Sequence, residues 1–116
     1  MSIEGLQARL AQFADDRDWA QFHSPKNLVM ALTSEVGELS ELFQWLSADD
    51  SMTFMSDERA ASRVREELAD VFGYVLRLAS VLEVDLDTCL HAKIDSNAER
   101  YPVARARGRS EKYTDL

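Results

Sequence analysis

Apolar residues recur every three or four positions along most of this chain, and the recurrence breaks it into four helical segments. Ile3, Leu6, Leu10 and Phe13 mark one face of a first amphipathic helix ending at about Asp16 or Arg17. Ser24-Pro25 then supplies an N-cap residue and a proline suited to the first helical position, and opens a helix that runs to about Leu46. Its apolar stripe is Leu28, Leu32, Leu39, Leu42 and Leu46. Ser56, followed by Asp57 and Glu58, opens a third helix reaching about Leu82, with Val64, Leu68, Val71, Val75, Leu78 and Leu82 as its predicted buried face. Asp85 caps a fourth through about Arg100, where Tyr101-Pro102 stops it. The stretch Ser47 to Ser56 has loop composition, and from Val103 onward the periodicity lapses into a basic end carrying Arg105, Arg107, Arg109 and Lys112. No alternating pattern of useful length occurs, so the predicted class is all-α.

Two pairs of acids interrupt the apolar stripes. Glu35 and Glu38 lie among the leucines of the second helix, and Glu67 and Asp70 among the aliphatic residues of the third. Residues three apart share a helix face, so each pair presents two carboxylates side by side. A single E-x-x-E is weak evidence, because it is usually a solvated face with lysines four residues on. Here the residues four on from Glu35, Glu38 and Glu67 are Leu39, Leu42 and Val71. Two like charges 4 Å apart repel by about 4 kcal/mol at an effective dielectric near 20, so such a cluster needs protonation or a cation. Oxygen-only donors with no His or Cys on these faces predict magnesium, or manganese, as the ion. A di-iron bundle would add Glu-x-x-His, which is absent.

Composition narrows the setting. The 116 residues make room for one domain, 46% of them apolar, and a polar metal cavity in so small a core predicts oligomerisation. A net charge of -8 argues against binding a nucleic acid polymer or a membrane surface by bulk electrostatics, while small anions screened by metal stay possible. One cysteine, Cys89, fits a reducing compartment. The opening Met-Ser-Ile-Glu-Gly shows no signal-peptide pattern and no stretch approaches a membrane span, so the expected location is cytoplasmic.

Further candidates surround the acids. Gly37 lies between the paired glutamates, where glycine costs about 1 kcal/mol relative to alanine, and either a close approach or a tolerated surface position accounts for it. Trp19, Phe22, Trp45 and Tyr74 are able to stack on a planar ligand or to serve as core, with Tyr74 favoured because it follows Asp70 by one turn. His23 offers a donor to a base or phosphate, or an acceptor for a cytosine amino group; a solvated loop histidine is the plainer account. Lys93, Asn97 and Arg100 form one polar stripe suited to phosphates, or equally a solvated face.

The strings R-D-W-x-x-F-H-x-P-x-N-L, E-V-G-E-L-x-E-L-F-Q-W, E-E-L-x-D-V, K-x-D-x-N-x-x-R-Y-P and K-Y-T-D-L resemble the MazG-like all-α nucleoside triphosphate pyrophosphatases, nearest their dCTP pyrophosphatase branch. The likeness runs from about Arg17 to Leu116. It implies a four-helix bundle, tetrameric, that uses magnesium to cleave a dNTP to dNMP and pyrophosphate. Glu35, Glu38, Glu67 and Asp70 match the metal ligands, and Glu38 is the candidate general base. Trp19, His23, Trp45 and Tyr74 match the nucleoside pocket, and Lys93, Asn97, Arg100, Tyr101, Lys112 and Tyr113 match groups near the triphosphate. Residues 1–102 would form the catalytic domain and 103–116 a tail completing a neighbouring site. Gly73 departs from the aliphatic residue expected there, so dUTP, dATP or a modified nucleotide stays open as substrate. A non-catalytic metal-binding helical module is the reading from another class.

Overall fold

The computed structural model describes residues 2–116, and among them every regular element is helical. In chain order these are α1 (Ile3–Asp16), α2 (Pro25–Phe43), α3 (Ala48–Met52), α4 (Glu58–Leu82), α5 (Leu86–Arg100) and α6 (Val103–Ala106), with single 3₁₀ turns at Ala20–Phe22, Phe54–Ser56 and Tyr113–Asp115. The all-α expectation holds. The chain divides into two compact units, residues 1–83 and 84–116.

Capping explains most of the boundaries. Ser2, Ser24, Ser47, Asp57 and Asp85 each place a side-chain oxygen on the amide three residues on, satisfying one of the open donors of the helix they start. Three expectations are corrected by this. The second helix ends at Phe43 instead of Leu46, one turn short, because Ser47 begins a new helix of its own. The stretch read as loop from 47 to 56 therefore contains α3, where Asp49 and Asp50 in the first turn suit its N-terminal dipole. Asp57 and not Ser56 caps α4, since Ser56 is spent in the preceding turn, its hydroxyl donating to Thr53 O.

Within the first unit α4 packs chiefly on α2 and secondarily on α1. The buried apolar residues are few and mostly small: Ala14, Leu28, Ala60, Ala61, Val64, Leu76 and Ala79. The predicted face of α4 is thus rotated in part. Val64 is buried, but Leu68 and Leu82 are half exposed, and alanines at 60, 61 and 79 let the helices approach instead. Gln7 Nε2 donates to Leu76 O at 3.1 Å and ties α1 to the C-terminal half of α4.

The turn after α1 is a Schellman motif. Asp18 takes a left-handed conformation with φ 54°, its amide donates to Asp15 O, and the Trp19 amide reaches back to Ala14 O at 2.8 Å. The apolar contact such a motif favours is present, with the Trp19 and Phe13 rings edge to face at 5.7 Å. Trp19 is thereby fixed by local backbone chemistry.

In the second unit no residue of α5 is buried. Tyr101 follows Arg100 and ends the helix, as expected from Tyr101-Pro102. The end of the chain does not run free of α5: Tyr113 meets the Tyr101 ring edge to face at 5.9 Å and lies under the Arg100 guanidinium at 5.2 Å.

Candidate active site

α2 and α4 together bring the acids into one place. Carboxylate oxygens of Glu35, Glu38 and Glu67 lie within 4.8 Å of one another, a spacing that one cation can span. Asp70, one turn beyond Glu67, falls outside that trio but is near enough for its charge to act on both Glu35 and Glu67. Oε2 of Glu35 and Oε2 of Glu67 are buried with no hydrogen-bond partner. Buried oxygens left this way are costly unless something absent from the polypeptide satisfies them. Burial, helped by the neighbouring carboxyls of Glu38 and Glu67 and the charge of Asp70, raises Glu35 from the usual 4.5 to about 7. Glu67 is raised too, chiefly by burial. An oxygen-only donor set with two orphaned acceptors fits a hard divalent cation.

Next to the acids, a cavity of about 240 Å³ opens between α1, the 3₁₀ turn after it and α4. Trp19, His23 and Tyr74 line it, so three of the four expected nucleoside residues come together. Asp70 also lines it and joins the cavity to the acid cluster. Leu10, Phe13 and Ala14 of α1 supply an apolar wall, which sequence reading left out although their spacing marks one helix face. Gly73 borders the cavity with open space, since a Cβ there would meet nothing within 4 Å. At Gly37 a Cβ is equally unobstructed, so within one chain nothing approaches it closely.

Arg77 completes the wall, and sequence reading missed it. Its Nε donates to His23 Nδ1 at 3.1 Å. Desolvation first and the guanidinium second hold His23 below its ordinary 6.5. The signal was available: Asp70, Tyr74 and Arg77 recur at four and three.

Residues 30–116 match the MazG-like family. The chain belongs to the MazG-like family. It is 47% identical over 117 residues to dCTP pyrophosphatase 1 of Rattus norvegicus, covering 99% of this chain and 68% of that protein. The Homo sapiens protein of the same name is 44% identical over 115 residues, with the same coverage. Among solved structures, a pyrophosphatase from Archaeoglobus fulgidus superposes with a TM-score of 0.79 at 39% identity, covering 85% of this chain and 91% of that one.

Not every expected residue of this MazG-like protein gathers at the cavity. Trp45, in the turn after α2, is 88% exposed and does not line it. Lys93, Asn97, Arg100, Tyr101, Lys112 and Tyr113 all belong to the second unit. There Lys93 and Asn97 are exposed on α5, while Arg100, Tyr101 and Tyr113 form the stacked group already described.

Proposed function

We propose that this protein is a magnesium-dependent nucleoside triphosphate pyrophosphohydrolase that converts dCTP, or a modified dCTP, to dCMP and pyrophosphate. The observation that carries the reading is the juncture at Asp70, where an acid trio with two orphaned buried oxygens adjoins a cavity walled by Trp19, His23 and Tyr74. Charge groups and a flat-ring slot side by side suit a molecule that is anionic at one end and aromatic at the other. The dCTP pyrophosphatases at 44% and 47% identity support the base.

Glu35, Glu38, Glu67 and Asp70 would hold the cation. Magnesium supplies charge neutralisation for the triphosphate and a bound water of lowered pKa. Glu35 and Glu67 are the natural inner ligands, because their buried oxygens have no other partner. Glu38 is more exposed and is assigned as the general base that takes the water's proton. Trp19 and Tyr74 stack on the base, which gives affinity and little discrimination. Lys93, Asn97 and Arg100, one stripe of α5, are assigned to phosphate contacts.

We assign a homotetramer. Val29, Met30 and Val36 on α2 and Leu68 and Phe72 on α4 are large apolar residues left uncovered, alongside Trp45. In the assembly, the four-helix bundle is built by α2 and α4 with the same pair of a second copy.

The test is a panel of nucleoside triphosphates incubated with magnesium, with products identified. Equimolar dCMP and pyrophosphate are expected. Orthophosphate with a diphosphate, or full turnover in excess chelator, refutes the assignment.

A further inference from the structure

The hydrogen bond between Arg77 and His23 decides what kind of base edge this cavity accepts. A guanidinium carries N–H donors and no acceptor, so Nδ1 of His23 must be the unprotonated nitrogen. A neutral imidazole in that state keeps its proton on Nε2. His23 then has no acceptor left to offer. This reverses the expectation that it accepts from a cytosine amino group.

Arg77 itself is in the same condition. It lines the cavity, makes no ion pair among the described residues, and uses one N–H on His23, so its remaining donors are uncommitted. Of the other polar groups around the cavity, the Trp19 indole is a donor only, the Tyr74 hydroxyl is both donor and acceptor, and Asp70 sits at the acid end. The wall made by His23 and Arg77 therefore presents donors alone.

Pyrimidines differ where such a wall would read them. Cytosine offers two adjacent acceptors, O2 and the bare ring nitrogen N3, with its 4-amino donor at the far end of that edge. Uracil and thymine carry a hydrogen on N3, which would face another donor with nothing to receive it. Leaving such a group unpaired costs about 1–3 kcal/mol, enough to separate bases that stack equally well.

We propose that Arg77 is a specificity-positioning residue, which holds His23 as the Nε2–H tautomer and so makes this wall select the O2/N3 edge of cytosine over the N3–H edge of uracil and thymine. The proposal rests on the nucleotide reading above, and deepens it by naming the residues that choose the base.

The experiment compares the full-length protein with Arg77→Met, which keeps an unbranched apolar stem out to the position of Nε and removes every donor. Histidine ¹⁵N spectra read the tautomer and its titration, and chemical-shift titrations with dCMP and dUMP read base preference without turnover. The expected wild-type result is an Nε2–H tautomer and tighter binding of dCMP. In Arg77→Met the tautomer preference should be lost, the His23 titration should move up toward its ordinary range, and the dCMP-to-dUMP affinity ratio should fall about tenfold. An Nδ1–H tautomer in the wild type overturns the proposal, as does a wild-type ratio near one. So does a variant ratio within twofold of wild type, the result expected if Arg77 only buttresses the fold. Pyrophosphate release from dCTP, measured on the same samples, tests the other reading separately: no release with dCMP preference intact removes the hydrolase and leaves the base reader standing.

Discussion

Glu35 on α2 and Glu67 on α4 each bury one carboxylate oxygen without a partner, and they do so facing a shared point within 4.8 Å that also includes Glu38. The pair makes the protein's stability depend on pH in a direction opposite to that of an ordinary salt-bridged acid. Glu35 titrates at about 7 when folded against 4.5 when unfolded, so between those values the folded state holds the extra proton. Its contribution is fully present below pH 4.5, is lost as pH rises through 7, and is absent above. Metal-free protein should therefore lose this contribution between pH 5 and 8, while magnesium, which replaces the proton, should raise Tm more at pH 8 than at pH 5.5. Melts with and without chelator across that range check it; an equal magnesium effect at both ends would contradict it.

Replacing Glu38 by Gln keeps volume and removes the assigned base, so turnover should drop by about 10² to 10⁴ with the helical spectrum unchanged. Glu67→Gln removes a buried charge that burial already disfavours, and its metal-free form should melt higher than wild type at pH 8. Rates and melts on the same preparations separate these effects. Full activity in Glu38→Gln would move the proton transfer elsewhere.

Gly73→Ala should stabilise the protein by about 0.8–1 kcal/mol, the helix-interior difference between the two residues, because the new methyl meets nothing. Gly73→Leu should instead occupy the cavity and raise KM for every nucleotide. Denaturant midpoints and steady-state kinetics read the two outcomes.

Asp18 holds its left-handed conformation against a cost that glycine does not bear. Asp18→Gly should gain about 1 kcal/mol, and Asp18→Val should lose stability and loosen Trp19 with it. Tryptophan fluorescence during unfolding would show both.

Light scattering at micromolar concentration should give a tetramer, and Phe72→Glu should dissociate it without unfolding the chain, since that side chain is already 48% exposed. A monomeric wild type would defeat the assembly.

The acids and Tyr74 were legible because helical periodicity reports which residues share a face, whereas Trp19 and His23, in the turn after α1, stood out by side-chain chemistry and by the family resemblance. Periodicity does not report how deep each one lies. Leu68 and Leu82 fit the stripe of α4 yet stay half exposed, since alanines at 60, 61 and 79 set the helix contacts. The helix Ala48–Met52 was hidden because Ser47, Asp49 and Asp50 are residues of both loops and helix starts, and only the Ser47 cap on Asp50 decides between them. Arg77 escaped for a different reason. Its spacing from Asp70 and Tyr74 put it on their face, but its partner His23 is 54 residues away, and that spacing does not announce a long-range hydrogen bond.

One element, α4, carries Glu67, Asp70 one turn on, and Gly73, Tyr74 and Arg77 along the next two turns. With about 1.5 Å of rise per residue, the seven residues from Asp70 to Arg77 set a fixed span of about 10 Å between the acid end and the base-reading end. In the proposed reaction the helix acts as a ruler laid along the substrate. Adding or deleting a single residue between those positions would turn one end about 100° away from the other, so this stretch tolerates changes of side chain and not of length.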